Sequence, residues 1–338
     1  MANNKLPKIL APKKAQEDQA LDLNIRPQRL ADFIGQDKLK KNLEIFIGAA
    51  KKRKEAPDHI LFYGNPGLGK TTLAFIMAKE IGANLKIVAG PSIERAGDLA
   101  SILSSLAEND VLFIDECHRL SPMIEEILYP AMESYSLDLM VGKGLMAESL
   151  RIDLPKFTLI GATTRPSLLT SPLRDRFGAT FCLDFYNEDE IGKIISRSAK
   201  ILNIRLDQGA VKEVAKRSRF TPRVANRLLK RVRDYADVHE IETIIQETVR
   251  QALGLLEIDE MGLTPSDQRL LKIIAEKFNG GPTGIKTLAA ALGEDEETIE
   301  EIYEPYLMRI GFLDRTSRGR SLTSAAKEYL GYSNKQLF

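Results

Sequence analysis

Between Gly64 and Thr72 the chain reads GNPGLGKTT. It fits the pattern G-x-x-x-x-G-K-[ST], in which glycine-rich backbone cradles phosphate. Gly64, Gly67 and Gly69 allow a tight turn, so that several N–H groups can face one phosphate. Lys70 can then reach the β- and γ-phosphates, and the Thr71 hydroxyl can coordinate Mg²⁺, with Thr72 beside it. The residues that follow, TTLAFIMAKEI, form a helix whose positive N-terminal end meets the same phosphates. The chemistry indicated is binding of a nucleoside triphosphate.

A second stretch, VLFIDECHRL at residues 111–120, admits three readings. Asp115-Glu116-Cys117-His118 could be a helicase box, a metal cluster, or the end of a buried strand that delivers two carboxylates to a nucleotide. A metal cluster needs three or four convergent ligands, and the chain has three histidines and no C-x-x-C. Beside a phosphate loop some forty residues upstream, the third reading is the strongest. Asp115 would join the magnesium shell, and Glu116 would polarise the attacking water. A third stretch, FTLIGATTRPSLLTSPLRDRFG at 157–178, ends a strand in Thr163 and Thr164, whose hydroxyls could lie near a γ-phosphate. Arg174 and Arg176 follow, placed to neutralise phosphoryl charge at a neighbouring subunit's site.

These groups need a scaffold. HILFYG, LKIVAG, DVLFIDE and FTLIGATT are short apolar runs separated by helical segments, which predicts a parallel sheet covered on both faces. Within it, LDLMVGKGLMAESLRIDL (137–154) has Gly142 and Gly144 between alternating apolar residues and predicts a projecting β-hairpin. Its tip would present Leu139, Met140, Leu145 and Met146 as a docking surface. From about Asn187 the pattern is helical, and after MGLTPSDQ it becomes helices followed by GFLDRTSRGRSLT, the outline of a winged helix. Four segments result: a polar tail at 1–20, an α/β nucleotide-binding domain at 21–184, a helical lid at 185–256 and a winged-helix domain at 257–338.

With 338 residues and a formal charge of +1, the chain can bury a large core but has no general attraction for nucleic acid. Two cysteines, no run near the ~18 apolar residues of a membrane span and no secretory leader predict a cytoplasmic protein. From residue 257 onward the formal charge is −4, so any nucleic-acid contact by the winged helix would concentrate in RTSRGR, at Arg315, Arg318 and Arg320. The acidic run EDEETIEE upstream would repel a second phosphate track.

RPQRLADFIGQ, GNPGLGKTTLA, VLFIDECHRL, IEEILYPAME, the 157–178 stretch, TPRVANRLLKRVRD, GGPTGIKTLAAALGE and EPYLMRIGFLDRTSRGR resemble, in order and spacing, the RuvB family of AAA+ motors that drive Holliday-junction branch migration. The resemblance runs from about Leu21 to the C-terminus. It implies an AAA+ core, a lid and a winged helix, with ATP and Mg²⁺ as ligands. Lys70, Thr71 and Thr72 correspond to Walker A contacts, Asp115 and Glu116 to Walker B, and Thr163 to sensor 1. Arg176 corresponds to the trans arginine finger and Arg223 to sensor 2, while Ile25, Arg26 and Tyr186 match residues around adenine and ribose. It further implies a homohexamer on double-stranded DNA at four-way junctions, with RuvA on the 137–154 hairpin and RuvC in a resolving complex. Departures include Asn65 for a common proline, Cys117 for an aliphatic residue, and MESYSLDL where MEDFQLDI is usual. The alternative class is an assembly ATPase of the clamp-loader type, which shares these motifs but ends in a helical collar.

Overall fold

A computed structural model describes residues 24–141 and 148–332, with the side chains of 139–150 left aside. The expected tail at 1–20 and the hairpin tip lie outside the described residues. In chain order the elements are α1 (Asp37–Arg53), β1 (Ile60–Tyr63), α2 (Lys70–Ile81), β2 (Leu85–Ala89), α3 (Ala96–Ser104), β3 (Val111–Asp115), α4 (Pro122–Glu133), β4 (Ser136–Val141), β5 (Glu148–Asp153), β6 (Thr158–Thr163), α5 (Ser171–Asp175) and β7 (Ala179–Cys182). The lid contributes α6 (Glu188–Ile201), α7 (Gln208–Lys216), α8 (Pro222–Val238) and α9 (Gln246–Gly254). The last unit has α10 (Pro265–Phe278), α11 (Ile285–Leu292), α12 (Glu296–Thr298), α13 (Glu304–Arg309), β8 (Leu313–Thr316), β9 (Gly319–Leu322) and α14 (Ser324–Tyr329).

Five strands form one parallel sheet in the order β2-β3-β6-β1-β7. Their apolar runs serve two cores at once, because successive side chains of a strand point to opposite faces. Ile60, Phe62, Val111, Phe113, Ile160 and Ala162 pack under α2 on one face. Leu61, Leu112, Ile114 and Leu159 pack against α3 and α4 on the other. The first core continues into the lid through Ile191, Ile195, Leu228, Leu229 and Val232, so lid and sheet share one apolar interior. The winged-helix unit keeps its own core around Leu270, Ile274, Leu288 and Leu307.

Strand β7 was not among the runs expected from the sequence. It is a four-residue edge strand with alternate residues exposed, so it lacks a continuous apolar signature. The hairpin strands pair antiparallel from Ser136↔Asp153 to Val141↔Glu148. Arg151 anchors their base by donating to the Ser136 hydroxyl at 3.0 Å.

Candidate nucleotide site and wing

The carboxyl ends of β1, β3 and β6 lie side by side, the usual ligand crevice of an open parallel sheet. β1 runs into the glycine loop, where Gly64, Gly67 and Gly69 all have positive φ (141°, 82° and 111°). Lys70 opens α2 and is nearly buried, with Nζ donating to the carbonyls of Gly64 (2.6 Å) and Asn65 (3.2 Å). Burial pulls its pKa down, opposed by the charges of Glu116 and Asp115. Asp115 moves the other way, raised by burial and by Glu116 and lowered by Lys70. The three charges therefore face one poorly solvated space, where electrostatic interactions are strengthened.

Past Asp115 the backbone turns sharply. Glu116 adopts a left-handed conformation at φ 49°, a costly state for a non-glycine residue that marks functional turns. Its carboxylate is thereby presented to the end of β6. There the Thr164 amide and hydroxyl donate to Glu116 Oε2 at 3.3 and 3.2 Å. His118 Nδ1 stands 3.3 Å from the same oxygen and 2.9 Å from Thr163 Oγ1. Thr163 is fully buried, and its hydroxyl also accepts from the Arg165 amide. The sequence assigned the sensor position to Thr163. In the structure it is the neighbouring Thr164 whose hydroxyl meets the Glu116 carboxylate, while Thr163 is tied to His118. Cys117 is buried, with its thiol pKa pushed far up by burial, in keeping with packing.

The cavity, about 290 Å³, is lined by Ile25, Arg26, Gly67, Gly69, Lys70, Thr71, Thr72, Asp115, Glu116, Tyr186 and Arg223, so eleven expected residues meet there. Tyr186 is buried and donates from its hydroxyl to Leu68 O at 3.1 Å, supporting the loop from beneath. Arg26 lies 5.9 Å from the Phe75 ring, and Ile25 O accepts from Arg197 Nη1 at 2.7 Å. Thr221 caps α8, Pro222 fills its first turn, and Arg223 N donates to Gly67 O at 3.4 Å. The lid thus touches the phosphate loop at its narrowest residue. A Cβ built on Gly67 would come within 2.8 Å of Arg223 Cβ. Arg197, Ser198 and Asn226 also line the cavity and were not singled out in the sequence. They sit on amphipathic lid helices, Ser198 buried and Arg197 and Asn226 partly exposed, where isolated polar residues carry no motif.

Arg176 is not among the residues that line this cavity. Its guanidinium sits 4.3 Å above the Tyr129 ring, with Nη1 donating to Pro172 O (2.6 Å) and Nε 3.0 Å from Glu133. Arg174, the other arginine of the pair, is exposed.

On the wing, β8 and β9 pair with Arg315 directly opposite Arg320. Arg315 is half exposed and Arg318 lies in the exposed turn. Arg320 corrects the expectation that all three arginines project to DNA. It is 6% exposed, and its guanidinium is held by Glu304 (2.5 Å) and Glu300 (3.0 Å). Two like charges opposite each other repel, and these two carboxylates neutralise the pair. The residues expected to hold the hairpin's apolar tip, Leu139, Met140, Leu145 and Met146, lie outside the described side chains.

A phosphate loop after β1, a carboxylate pair after β3, a polar sensor after β6 and an arginine on a helical lid define a P-loop ATPase of the AAA+ class. Three family models match in succession: "Holliday junction DNA helicase RuvB P-loop domain" over 25–183, "RuvB AAA lid domain" over 186–259 and "RuvB C-terminal winged helix domain" over 260–331. The chain belongs to the RuvB family. It is 55% identical over 328 residues to the Holliday junction branch migration complex subunit RuvB of Clostridium kluyveri, covering 97% of this chain and 94% of that one. Among solved structures it is similar to the Thermotoga maritima RuvB Holliday junction branch migration motor. The TM-score is 0.85 at 46% identity, over 92% of this chain and 99% of that one. A mutant of the same Thermotoga protein gives a TM-score of 0.86. No described helix is long and apolar enough to cross a membrane.

Proposed function

We propose that this chain is an ATP-hydrolysing motor that drives branch migration of four-way DNA junctions as a homohexamer. The observation that carries this reading is the convergence of Lys70, Asp115, Glu116 and Arg223 on one cavity, with Thr164 bonded to Glu116, in a chain that carries a C-terminal wing.

Each residue has a role that its placement supports. Loop amides and Lys70 hold the phosphates, and the opposed charges of Lys70 and Asp115 keep both poised in a space of low polarity. Glu116 takes the proton of the attacking water, with Thr164 fixing the carboxylate's direction. Thr71 and Asp115 would hold Mg²⁺ through two oxygen donors, the hard ligands that this ion prefers. The chemistry it would supply there is positive charge against the phosphates. Arg223 reports the state of the phosphates to the lid. Arg176, absent from the lining of its own subunit's cavity, acts on the adjacent subunit's nucleotide.

Arg315 and Arg318 meet the duplex backbone, giving the small, sequence-tolerant footprint that a translocating motor needs. The 137–154 hairpin docks RuvA, and RuvC joins in a resolving complex. The site of action is the cytoplasm. The test is dissociation of a synthetic four-way junction, with and without RuvA. Junction opening that requires ATP and is stimulated by RuvA is expected; ATP turnover without any junction opening would sink the motor reading.

A further inference from the structure

The acidic run EDEETIEE takes no part in the phosphate chemistry, yet two of its carboxylates reach the nucleotide domain. Arg165 directly follows Thr164 at the end of β6. Its guanidinium crosses to the winged-helix unit, with Nη2 3.1 Å from Glu300 Oε2 and Nε 3.0 Å from Glu301 Oε1. On an α-helix consecutive side chains point about 100° apart. Here a π turn spans Ile299–Tyr303, at the place where two consecutive carboxylates meet one guanidinium. The other oxygen of Glu300 lies 3.0 Å from Arg320 Nη2 and 3.3 Å from Arg315 Nη2. One carboxylate therefore joins the catalytic strand to Arg315 and Arg320, two of the three arginines of the wing.

We propose that Arg165 and the shared carboxylate Glu300 are the route by which the nucleotide site and the DNA-binding wing sense each other, a proposal that rests on the motor reading above. Along this route Glu116 is held by Thr164, Thr164 precedes Arg165, Arg165 grips Glu300, and Glu300 is shared with Arg315. A change in the charge facing Glu116 shifts Thr164 and hence the hold of Arg165 on Glu300. A DNA phosphate that draws Arg315 away leaves Glu300 with Arg165 and the buried Arg320, and the effect returns to the catalytic strand. Such coupling is reciprocal by thermodynamic necessity. The contact is suited to rearrangement. Arg165 and Glu300 are each about a quarter exposed, and Glu301 Oε1 is buried without a hydrogen bond although Arg165 Nε is 3.0 Å away. Burial also raises the Glu301 pKa, with Glu297 and Glu116 adding to the rise and Arg165 opposing it. Arg165 is thus a positioning residue, acting through Glu300.

The experiment measures affinity of the full chain for a fluorescent duplex in ATPγS and in ADP. A wild-type difference of at least about fivefold is expected, the lower end of ordinary coupling. Arg165→Ala should bring the two affinities within about twofold of each other while leaving nucleotide affinity without DNA nearly unchanged. Arg165→Lys, which retains one charge, should recover part of the difference, and Glu301→Gln should fall between. Arg165→Ala protein with the wild-type difference overturns the route. So does loss of duplex affinity in both nucleotides with no recovery by Arg165→Lys, the mark of a purely structural contact. A wild type whose duplex affinity ignores the nucleotide overturns it as well. Junction dissociation by the wild type is scored separately, so that an active motor with an unchanged Arg165→Ala difference overturns the route alone.

Discussion

His59 shows how one side chain can tie a sheet to a helix. Leu159 N–H donates to its Nδ1 at 2.8 Å, so Nε2 carries the proton and donates to Met132 O at 3.0 Å. The ring is neutral, and burial holds its pKa below the ordinary imidazole value, with the Met132 bond opposing. The unfolded chain takes up a proton near pH 6.5, whereas the folded one does so only at lower pH. Stability contributed by neutral His59 is therefore complete above about pH 6.5 and falls as pH drops toward the folded value, by about 1.4 kcal/mol per unit of depression. Urea unfolding at a series of pH values should show this slope, and His59→Gln should flatten it. The wing arginines separate on the same kind of reasoning. Arg320→Ala strands Glu304, 2% exposed, and should cost about 3 kcal/mol or more in chemical unfolding. Arg315→Ala and Arg318→Ala should each cost under about 1 kcal/mol. Those two should weaken duplex binding alike across sequences and reduce its salt dependence, read by titration at several salt concentrations.

At the scale of elements, the phosphate loop and the lid helix α8 meet at Gly67. Two constraints coincide there: φ of 82°, which L-residues resist, and the 2.8 Å approach of any added Cβ to Arg223. Gly67→Ala should cost about 1–2 kcal/mol from the backbone alone and push α8 away from the loop. Nucleotide affinity, measured by titration with a fluorescent ATP analogue, should fall by about tenfold or more, equivalent to about 1.4 kcal/mol. Wild-type affinity in that variant would separate lid from loop. The elements differ in how well the sequence announced them. β1, β3 and β6 are buried on both faces and read as short runs in which apolar residues dominate. Edge strand β7 is legible only once β1 is there to pair with it.

At the scale of the whole molecule, Arg176 is not among the residues lining the nucleotide cavity of its own subunit, and the proposed motor places it at the cavity of a neighbour. Arg176→Ala and Glu116→Gln should each abolish turnover alone while sparing nucleotide binding. Mixing the two proteins should restore part of the hydrolysis, because some interfaces then pair an intact Glu116 with an intact Arg176. Steady-state ATP turnover of the mixture checks this, and absence of any rescue would count against action in trans. The three units are joined by the shared apolar interior of sheet and lid, and by charged links from Arg219 to Asp267 and from Arg165 to Glu300. Polar links of this kind allow relative motion more readily than a continuous core does.

What the sequence by itself determined is the local chemistry. A phosphate loop is one strand, one turn and one helix in succession, so Gly64 to Thr72 could be read without knowing what surrounds them. The same holds for the strand that ends in Asp115 and Glu116, and for a basic turn between two short strands. Tertiary structure alone decided between neighbours. Thr163 and Thr164 are chemically alike and adjacent, but β6 ends at Thr163, whose buried hydroxyl turns to His118, while Thr164 in the bend beyond the strand reaches Glu116. Arg315 and Arg320 are equally basic and share the carboxylates of Glu300 and Glu304, yet Arg320 lies closer to both and is buried while Arg315 stays half exposed. The partner of Arg165 lies 135 residues away, a distance over which no periodicity or motif carries information, and only the docking of two domains brings the charges together.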